Sequence, residues 1–214
     1  MKNLLKTLFL CSMIIISSSC KKDLTNLTLE EAFTELAKQT KGQRYNTANA
    51  DELPGIIEEA LSDHGVTNAD IVFLIDNTGS MYDDIGAVKS ALDAIISALP
   101  SGCRIAVCTY ADKNVDANWF TKMDFTTNYN TAKTFINDIG TGGGGDIPES
   151  VYDGIFRAVD ELSWDSDSKR MMLVIGDAAP LDGELTDHTF SQVVSKCKST
   201  GLLVNLYPVL VAVD

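Results

Sequence analysis

Three oxygen-bearing side chains are spaced two residues apart in the segment Asp76-Asn77-Thr78-Gly79-Ser80. The segment directly follows Ile71–Ile75, a continuous apolar run that is typical of a strand buried on both faces. If the loop curls around one position, one carboxylate and two hydroxyls converge on a single cation. These are hard oxygen ligands, which suit Mg²⁺ or Mn²⁺ better than zinc or copper. Because the set carries little charge, waters or a partner's carboxylate must complete the coordination shell.

Two later segments are placed to reach the same site. The apolar run Met171–Ile175 predicts a second buried strand, which is followed by a Gly-Asp pair ending at Asp177. Between the two strands, a glycine-rich loop at Thr141–Glu149 precedes a predicted helix. Within this loop, Asp146 stands where a helix N-cap is expected. The carboxyl ends of parallel strands meet at one edge of a sheet, so these segments are expected to lie together.

The elements that must position these residues follow from the alternation of apolar patterns. Strands alternating with helices predict an α/β fold, a doubly wound and mostly parallel sheet with helices on both faces. Strands are expected at Ile71–Ile75, Arg104–Tyr110, Trp119–Phe125, Met171–Ile175 and Leu202–Val213, the last interrupted by Pro208, and helices at Ile85–Leu99, Ala132–Ile139, Val151–Leu162 and Phe190–Cys197.

Two more helices are predicted ahead of the first strand. Thr28 and Glu31 form a capping-box pattern that opens an amphipathic helix through about Gln39. A polar connection at Thr40–Asp51 then leads to a short helix at Leu53–Leu61.

The first twenty residues are typical of an export signal. Lys2 and Lys6 precede the apolar stretch Leu8–Ile16, which has about half the roughly 20 residues of a spanning helix. The following Ser-Ser-Ser-Cys resembles a bacterial lipoprotein cleavage site, which implies that Cys20 becomes the lipidated N-terminus. Ordinary signal-peptidase cleavage near the same place is the alternative. The lipoprotein interpretation predicts a lipid-anchored protein of the bacterial cell envelope, at the outer membrane or cell surface.

The net charge and the spacing of the cysteines argue against two kinds of site, one for nucleic acid and one for structural zinc. The 214 residues carry a net charge of −13, and no run of Lys or Arg exceeds two residues, which argues against nucleic-acid binding. The remaining cysteines lack metal-ligand spacing, so a structural zinc site is not expected. We expect Cys103, Cys108 and Cys197 to be small buried apolar residues.

The three separated motifs resemble the von Willebrand factor A-like domain with its metal-ion-dependent adhesion site. Asp76, Thr78 and Ser80 match the family's Asp-x-Ser-x-Ser, with Thr in place of the first Ser. The Gly-Gly-Gly-Gly-Asp-Ile-Pro-Glu loop and Leu-Val-Ile-Gly-Asp-Ala-Ala-Pro resemble a bacterial and extracellular-matrix branch of the family. The resemblance implies a Mg²⁺ or Mn²⁺ site formed by Asp76, Thr78, Ser80, Asp146 and Asp177, with Thr141 as an alternative ligand.

The resemblance also implies a division of the chain. Residues 1–19 are expected to be a lipoprotein signal peptide, residues 20–66 the lipidated Cys20, a tether and N-terminal helices, and residues 67–214 the domain itself. Family members usually continue with a further strand and a C-terminal helix, whereas this chain stops at Asp214. We therefore expect the last strand and helix to be missing, either because the domain is minimal and its N-terminal helices cover the exposed face, or because the product is truncated.

Asp83 and Asp84 follow Ser80 at the spacing found in integrin beta chains. There, such a pair helps to bind a second ion, which here implies a second site for an ion such as Ca²⁺. The alternative interpretation is two carboxylates in the first turn of a helix, where the helix dipole favours them.

Two functions remain in competition. The first is a binding module, not an enzyme, whose metal keeps an open position for an acidic side chain of a partner protein and which contacts the membrane only through its lipid. The second is a haloacid dehalogenase-like phosphohydrolase with Asp76 as nucleophile, since residues 76–80 are similar to the Asp-Lys-Thr-Gly-Thr motif of P-type ATPases. Against the second, Thr78 stands where those phosphatases carry an acid/base Asp, and no cap-sized insertion is present.

Overall fold

A computed structural model describes residues 24–47, 52–64, 67–145, 148–199 and 201–211. The helices in these ranges are α1 (Leu29–Gln39), α2 (Leu53–His64), α3 (Ile85–Ala98), α4 (Tyr129–Asn137), α5 (Val151–Glu161) and α6 (Phe190–Cys197). The strands are β1 (Tyr45–Asn46), β2 (Ala69–Asp76), β3 (Arg104–Tyr110), β4 (Phe120–Thr126), β5 (Lys169–Gly176) and β6 (Val204–Leu210). None of the described helices combines the length and apolar character needed to cross a membrane.

The strands form one sheet in the order β1-β6-β5-β2-β3-β4. All neighbouring strands run parallel except β4, which pairs antiparallel with β3 at the edge. From β2 the chain builds outwards to β3 on one side and later returns to β5 on the other. The strand order therefore reverses at β2, the position at which ligands bind in such sheets. The predicted doubly wound α/β fold is confirmed.

Both faces of the sheet are covered by helices, which explains the continuous apolar strands. Ile71, Phe73 and Ile75 pack under α2, α3 and α4, whereas Val72 and Leu74 face α1, α5 and α6. Since successive side chains of a strand point to opposite faces, both sets must be apolar to be buried. The three cysteines Cys103, Cys108 and Cys197 are buried free thiols, as predicted.

The elements before β2 pack onto the same sheet. In α1, the predicted capping box is present: the Thr28 hydroxyl accepts from the Glu31 N–H, and the Glu31 side chain accepts from the Thr28 N–H. The buried face of α1 belongs to the apolar cluster over β6. The Thr40 hydroxyl, just after α1, accepts from the Leu206 N–H at 3.1 Å. Helix α2 continues to His64, three residues beyond the predicted end.

Two expectations about local structure were wrong. The connection Thr40–Asp51 contains β1, which pairs with β6 at Tyr45↔Val209 and Asn46↔Leu210. A two-residue strand has no readable alternation, and its pairing with a distant strand is what creates it. Pro208 does not interrupt β6: it is paired with Val174 of β5, and β1 begins pairing only at the next residue. A proline is tolerated in a strand where its missing N–H is not needed for the ladder.

Candidate metal centre at the carboxyl edge of the sheet

Asp76 is the last residue of β2 and is completely buried. Its Oδ1 accepts two hydrogen bonds from Thr78, one from the backbone N–H at 2.9 Å and one from the hydroxyl at 2.7 Å. An aspartate that accepts from the backbone two residues ahead stabilises a turn by itself. The sequence Asp-x-Thr thus folds the loop back over its own carboxylate.

The same loop reaches the neighbouring strand through Ser80. The Thr78 and Ser80 hydroxyl oxygens lie 3.0 Å apart, and the Ser80 hydroxyl donates to Asp177 Oδ1 at 3.0 Å. Asp177 directly follows β5, which pairs with β2. The structure therefore brings together Asp76, Thr78, Ser80 and Asp177, four of the five primary ligands implied by the resemblance.

The four linked side chains have fewer protons than the contacts between them require. Three short O···O contacts join them, but each hydroxyl carries a single proton, and those of Thr78 and Ser80 are already directed at Asp76 and Asp177. Two hydroxyl protons thus serve three contacts, so one of the three lacks a proton when both carboxyl groups are ionised. A proton on a carboxyl group or a cation beside the hydroxyls supplies the missing positive charge.

Beside these four side chains, the buried Tyr110 hydroxyl acts on Asp76 as a hydrogen-bond donor that lowers the pKa of its carboxyl group. Two buried carboxylate oxygens there make no hydrogen bond of good geometry to a described residue. One is Oδ2 of Asp76, and the other is Oε2 of Glu149, a residue that is only 4% exposed. Burial raises the pKa of Asp76 to about 7. Burial, followed by the charges of Asp76, Asp112 and other nearby carboxylates, raises the pKa of Glu149 to about 8.

Glu149 was not predicted as a site residue. Its N–H donates to the Ala179 carbonyl at 2.8 Å, and its own carbonyl accepts from the Leu181 N–H at 2.7 Å. These bonds join the end of the glycine-rich loop to the segment after Asp177. A carboxylate closing the Gly-Gly-Gly-Gly-Asp-Ile-Pro-Glu motif was the available signal, but only the meeting of the two loops reveals its burial.

The glycine-rich loop is pressed against the Asp76–Ser80 turn. Gly143 accepts from the Gly79 N–H at 3.3 Å, and the Gly144 N–H donates to Asp116 Oδ2 at 2.8 Å. Both residues have positive φ, 73° and 69°. A Cβ on Gly143 would overlap the Asp116 carboxylate, and one on Gly144 would lie 2.8 Å from Glu149 Oε1. Conformation and close approach together require glycine at both positions.

The remaining predicted residues are placed as follows. Asp146 and Cys20 lie outside the described residues, so their predicted roles stay predictions. Thr141 is half-buried between Gly140 and Gly142, both of which bond to Asn77. It therefore lies in the loop segment that touches the Asp76–Ser80 turn.

The two residues that were predicted to bind a second ion differ in how exposed they are. Asp83 is exposed, whereas Asp84 is half-buried at the residue before α3. Burial raises the pKa of Asp177, and the Asp84 charge adds to this effect. The Asp84 carboxylate is therefore close enough to the site for its charge to act on Asp177.

The donors around the turn fit a hard divalent cation. All are oxygens, from the carboxylates of Asp76 and Asp177 and the hydroxyls of Thr78 and Ser80. Within the described ranges, no group of three or more His, Cys, Asp and Glu side chains is arranged to hold a metal ion. The candidate set therefore consists of two carboxylates and two hydroxyls, and the remaining oxygens of Asp76 and Glu149 are the groups that a cation would satisfy.

The sequence is similar to that of one curated protein over part of its length. Over 114 residues the chain is 29% identical to the alpha-protein kinase vwkA of Dictyostelium discoideum, a match that covers 51% of this chain and 18% of the kinase. The chain thus spans less than a fifth of that relative.

Similar folds occur in solved structures. An aerotolerance-related membrane protein from Bacteroides fragilis superposes with a TM-score of 0.51 at 15% identity, covering 67% of this chain and 68% of that one. BatB from Bacteroides thetaiotaomicron gives a TM-score of 0.49 at 17% identity, covering 65% of each chain. At such identities the likeness concerns the fold alone.

A family model described as von Willebrand factor A domain matches residues 70–206, from the first residues of β2 into β6. The match contains all of β2 except its first residue, the whole of β3 to β5 and all the described candidate ligands. Since it spans more than half of the chain, the protein belongs to the von Willebrand factor A domain family.

Proposed function

We propose that this protein is a divalent-cation-dependent protein-binding module, with an adhesive or scaffolding role. The observation that carries the proposal is the linked set of Asp76, Thr78, Ser80 and Asp177 at the strand-order reversal, with buried carboxylate oxygens beside it that make no hydrogen bond of good geometry to a described residue. The family match and the fold support a domain built for interaction.

In this proposal, Asp76, Thr78, Ser80 and Asp177 hold Mg²⁺ or Mn²⁺, and Asp146 or Thr141 adds a ligand from the glycine-rich loop. Glu149 joins the predicted set, because its unpartnered Oε2 is buried and its Oε1 borders Gly144 near the Thr78 side chain. The bound ion supplies positive charge that attracts a carboxylate of a partner protein. These residues would hold the ion in place, and the exposed Ser80 puts the site at the solvent surface.

We favour binding over catalysis for two reasons. Asp76, the nucleophile of the phosphohydrolase alternative, is completely buried and is held by two hydrogen bonds from Thr78. A nucleophile must reach its substrate, and an acid/base group must stand within hydrogen-bond reach of the reacting atoms. Where the phosphatases carry an acid/base Asp, this chain has Thr78, whose hydroxyl is committed to Asp76.

We also propose that the protein acts at the bacterial cell envelope, anchored by lipid at Cys20. The support is the sequence pattern of residues 1–20, and a similar fold occurs in a protein described as a membrane protein. The negative net charge supports a partner other than nucleic acid.

Water-proton relaxation with Mn²⁺ tests the open coordination position. Bound Mn²⁺ that keeps a water should enhance relaxation, and a capped peptide with one Asp should reduce the enhancement by displacing that water. Asp177→Asn should weaken Mn²⁺ binding by roughly tenfold or more, as is typical when a charged group near a metal is lost. The matched control is Asp167→Asn, which changes an exposed carboxylate beyond the amino edge of the sheet.

Two results would contradict the proposal. One is an enhancement that is equal in the two variants, since Asp177 would then not hold the ion. The other is an enhancement that the Asp peptide leaves unchanged, since no position would then be open to a carboxylate.

A further inference from the structure

Large apolar side chains are rarely exposed among the described residues, and three of the four that are exposed lie at one edge of the sheet. Among the described residues, four have more than two-fifths of their surface exposed: Tyr82 at 74%, Val115 at 59%, Leu185 at 54% and Leu203 at 43%. Tyr82, Val115 and Leu185 all lie on loops at the carboxyl ends of the strands, the edge that carries the candidate metal centre. Leu203 precedes β6 and lies at the opposite edge. We call the first three residues the apolar rim.

Val115 and Leu185 stand on two loops that are fastened to each other. The Asn114 side-chain amide donates to the Leu185 carbonyl at 3.0 Å, and Lys113 Nζ lies 2.6 Å from an Asp187 carboxylate oxygen. Val115 also borders the glycine-rich loop, since a Cβ on Gly145 would lie 3.0 Å from its Cγ2. These two apolar side chains are therefore held beside the loop that closes over the Asp76–Ser80 turn.

Tyr82 projects from the metal-binding turn itself. It ends the short 3₁₀ helix Gly79–Tyr82, two residues after Ser80. The preceding Met81 is fully buried and fixes the turn in the core, while Tyr82 points outwards. Ser80, which bonds to Asp177, thus has an exposed aromatic ring on its own turn.

The charges around the rim limit what can approach. Asp83 and Glu184 are exposed on the same loops, and the whole chain carries a net charge of −13. A partner surface with several carboxylates would be repelled by them. One carboxylate directed at the cation escapes that repulsion, and apolar neighbours on the partner bring no charge.

We propose that the apolar rim of Tyr82, Val115 and Leu185 selects a protein segment in which a single carboxylate is flanked by large apolar side chains. This inference rests on the proposed function, since it assumes a cation that receives the carboxylate. The ion attracts the acidic side chain of the partner, and the rim buries the apolar side chains that flank it. Exposed apolar groups beside a polar anchor are the usual composition of a binding surface.

A matched set of capped pentapeptides tests the inference in the presence of Mn²⁺. The first has a central Asp flanked by two Phe, the second has Ser in place of both Phe, and the third has Asn in place of Asp. Burying apolar surface at about 25 cal/mol per Å² predicts at least tenfold tighter binding of the first peptide than of the second. Each of Tyr82→Ser, Val115→Ser and Leu185→Ser should reduce that ratio about threefold or more. Leu203→Ser, an exposed apolar residue at the far edge, should leave it unchanged.

The outcomes separate the two proposals. If both Asp peptides bind only with Mn²⁺ but with equal affinity, or if Leu203→Ser matches the rim variants, the selectivity of the rim is wrong and the metal-dependent function stands. If neither peptide's binding responds to EDTA, the proposed function fails together with the inference. Binding of phosphatidylcholine vesicles that is lost in the rim variants would also overturn the inference, because the rim would then contact lipid.

Discussion

Asp76 and Glu149 are interior carboxyl groups, each with one oxygen that makes no hydrogen bond of good geometry to a described residue. An unpaired buried charge is costly, so such a group takes up a proton or a cation. The Asp76 carboxylate already accepts two hydrogen bonds from Thr78, and burial still raises its pKa to about 7. At residue scale, proton and metal ion are thus competitors for the same oxygens.

This competition predicts how metal-free stability depends on pH. Carboxyl groups of an unfolded chain titrate near pH 4, whereas those of Asp76 and Glu149 in the folded chain have pKa values of about 7 and about 8. Between these values the native state binds more protons than the unfolded state, so the free energy of unfolding falls as the pH rises. Urea unfolding in EDTA should therefore show lower stability at about pH 8.5 than at about pH 5.

Two variants sharpen the pH experiment. Glu149→Gln removes one of the raised groups and should lose less stability over the same interval. Glu184→Gln, at an exposed position, should retain the wild-type dependence. A metal-free stability that is constant or increases from about pH 5 to about pH 8.5 would mean that these carboxyl groups do not hold their protons in the folded state.

Some residues of the candidate site could be identified from the sequence, and others could not. Asp76, Thr78 and Ser80 were identifiable because they are close in sequence and follow a buried strand, so that local turn chemistry brings them together. Asp177 was identifiable because parallel neighbouring strands place their ends side by side. Glu149 was missed because its burial depends on how two loops meet, which no local pattern records.

At the scale of the elements, the central strands were predicted best. The bounds of β3 agree with the prediction, and β2 and β5 extend theirs by a few residues, because strands buried on both faces have unbroken apolar sequences. In contrast, β1 was hidden in a polar connection. Only Tyr45 of its two residues is buried, so its existence depends on pairing with β6.

The docking of the chain between α1 and β1 can be tested at Gly42. A Cβ there would overlap the carbonyl oxygen of Leu206 in β6, so the backbone would have to move. Gly42→Ala should lower the free energy of unfolding by about 2 kcal/mol, as is typical of overpacking. Gly55→Ala in α2 is the matched control, because nothing lies within 4 Å of its added Cβ. Equal stability of Gly42→Ala and wild type in urea would show that this connection does not press on β6.

For the molecule as a whole, the doubly wound sheet provides a rigid base and the loops at one edge provide the chemistry. The two apolar layers fix β2 and β5, and thereby the distance between Asp76 and Asp177. The net charge of −13 concentrates cations around this surface without selecting among them. Selection must come from the Asp76–Ser80 turn and the loops that touch it.

The most direct test of the central claim is calorimetric titration of Mg²⁺ and Mn²⁺ into the purified protein and into Ser80→Ala. If the Ser80 hydroxyl holds the ion, its loss should weaken binding by roughly tenfold or more. Ser195→Ala, an exposed helical serine that bonds only to its own helix, should bind like the wild type. Folded wild-type protein that binds neither ion, or Ser80→Ala with unchanged affinity, would contradict the account.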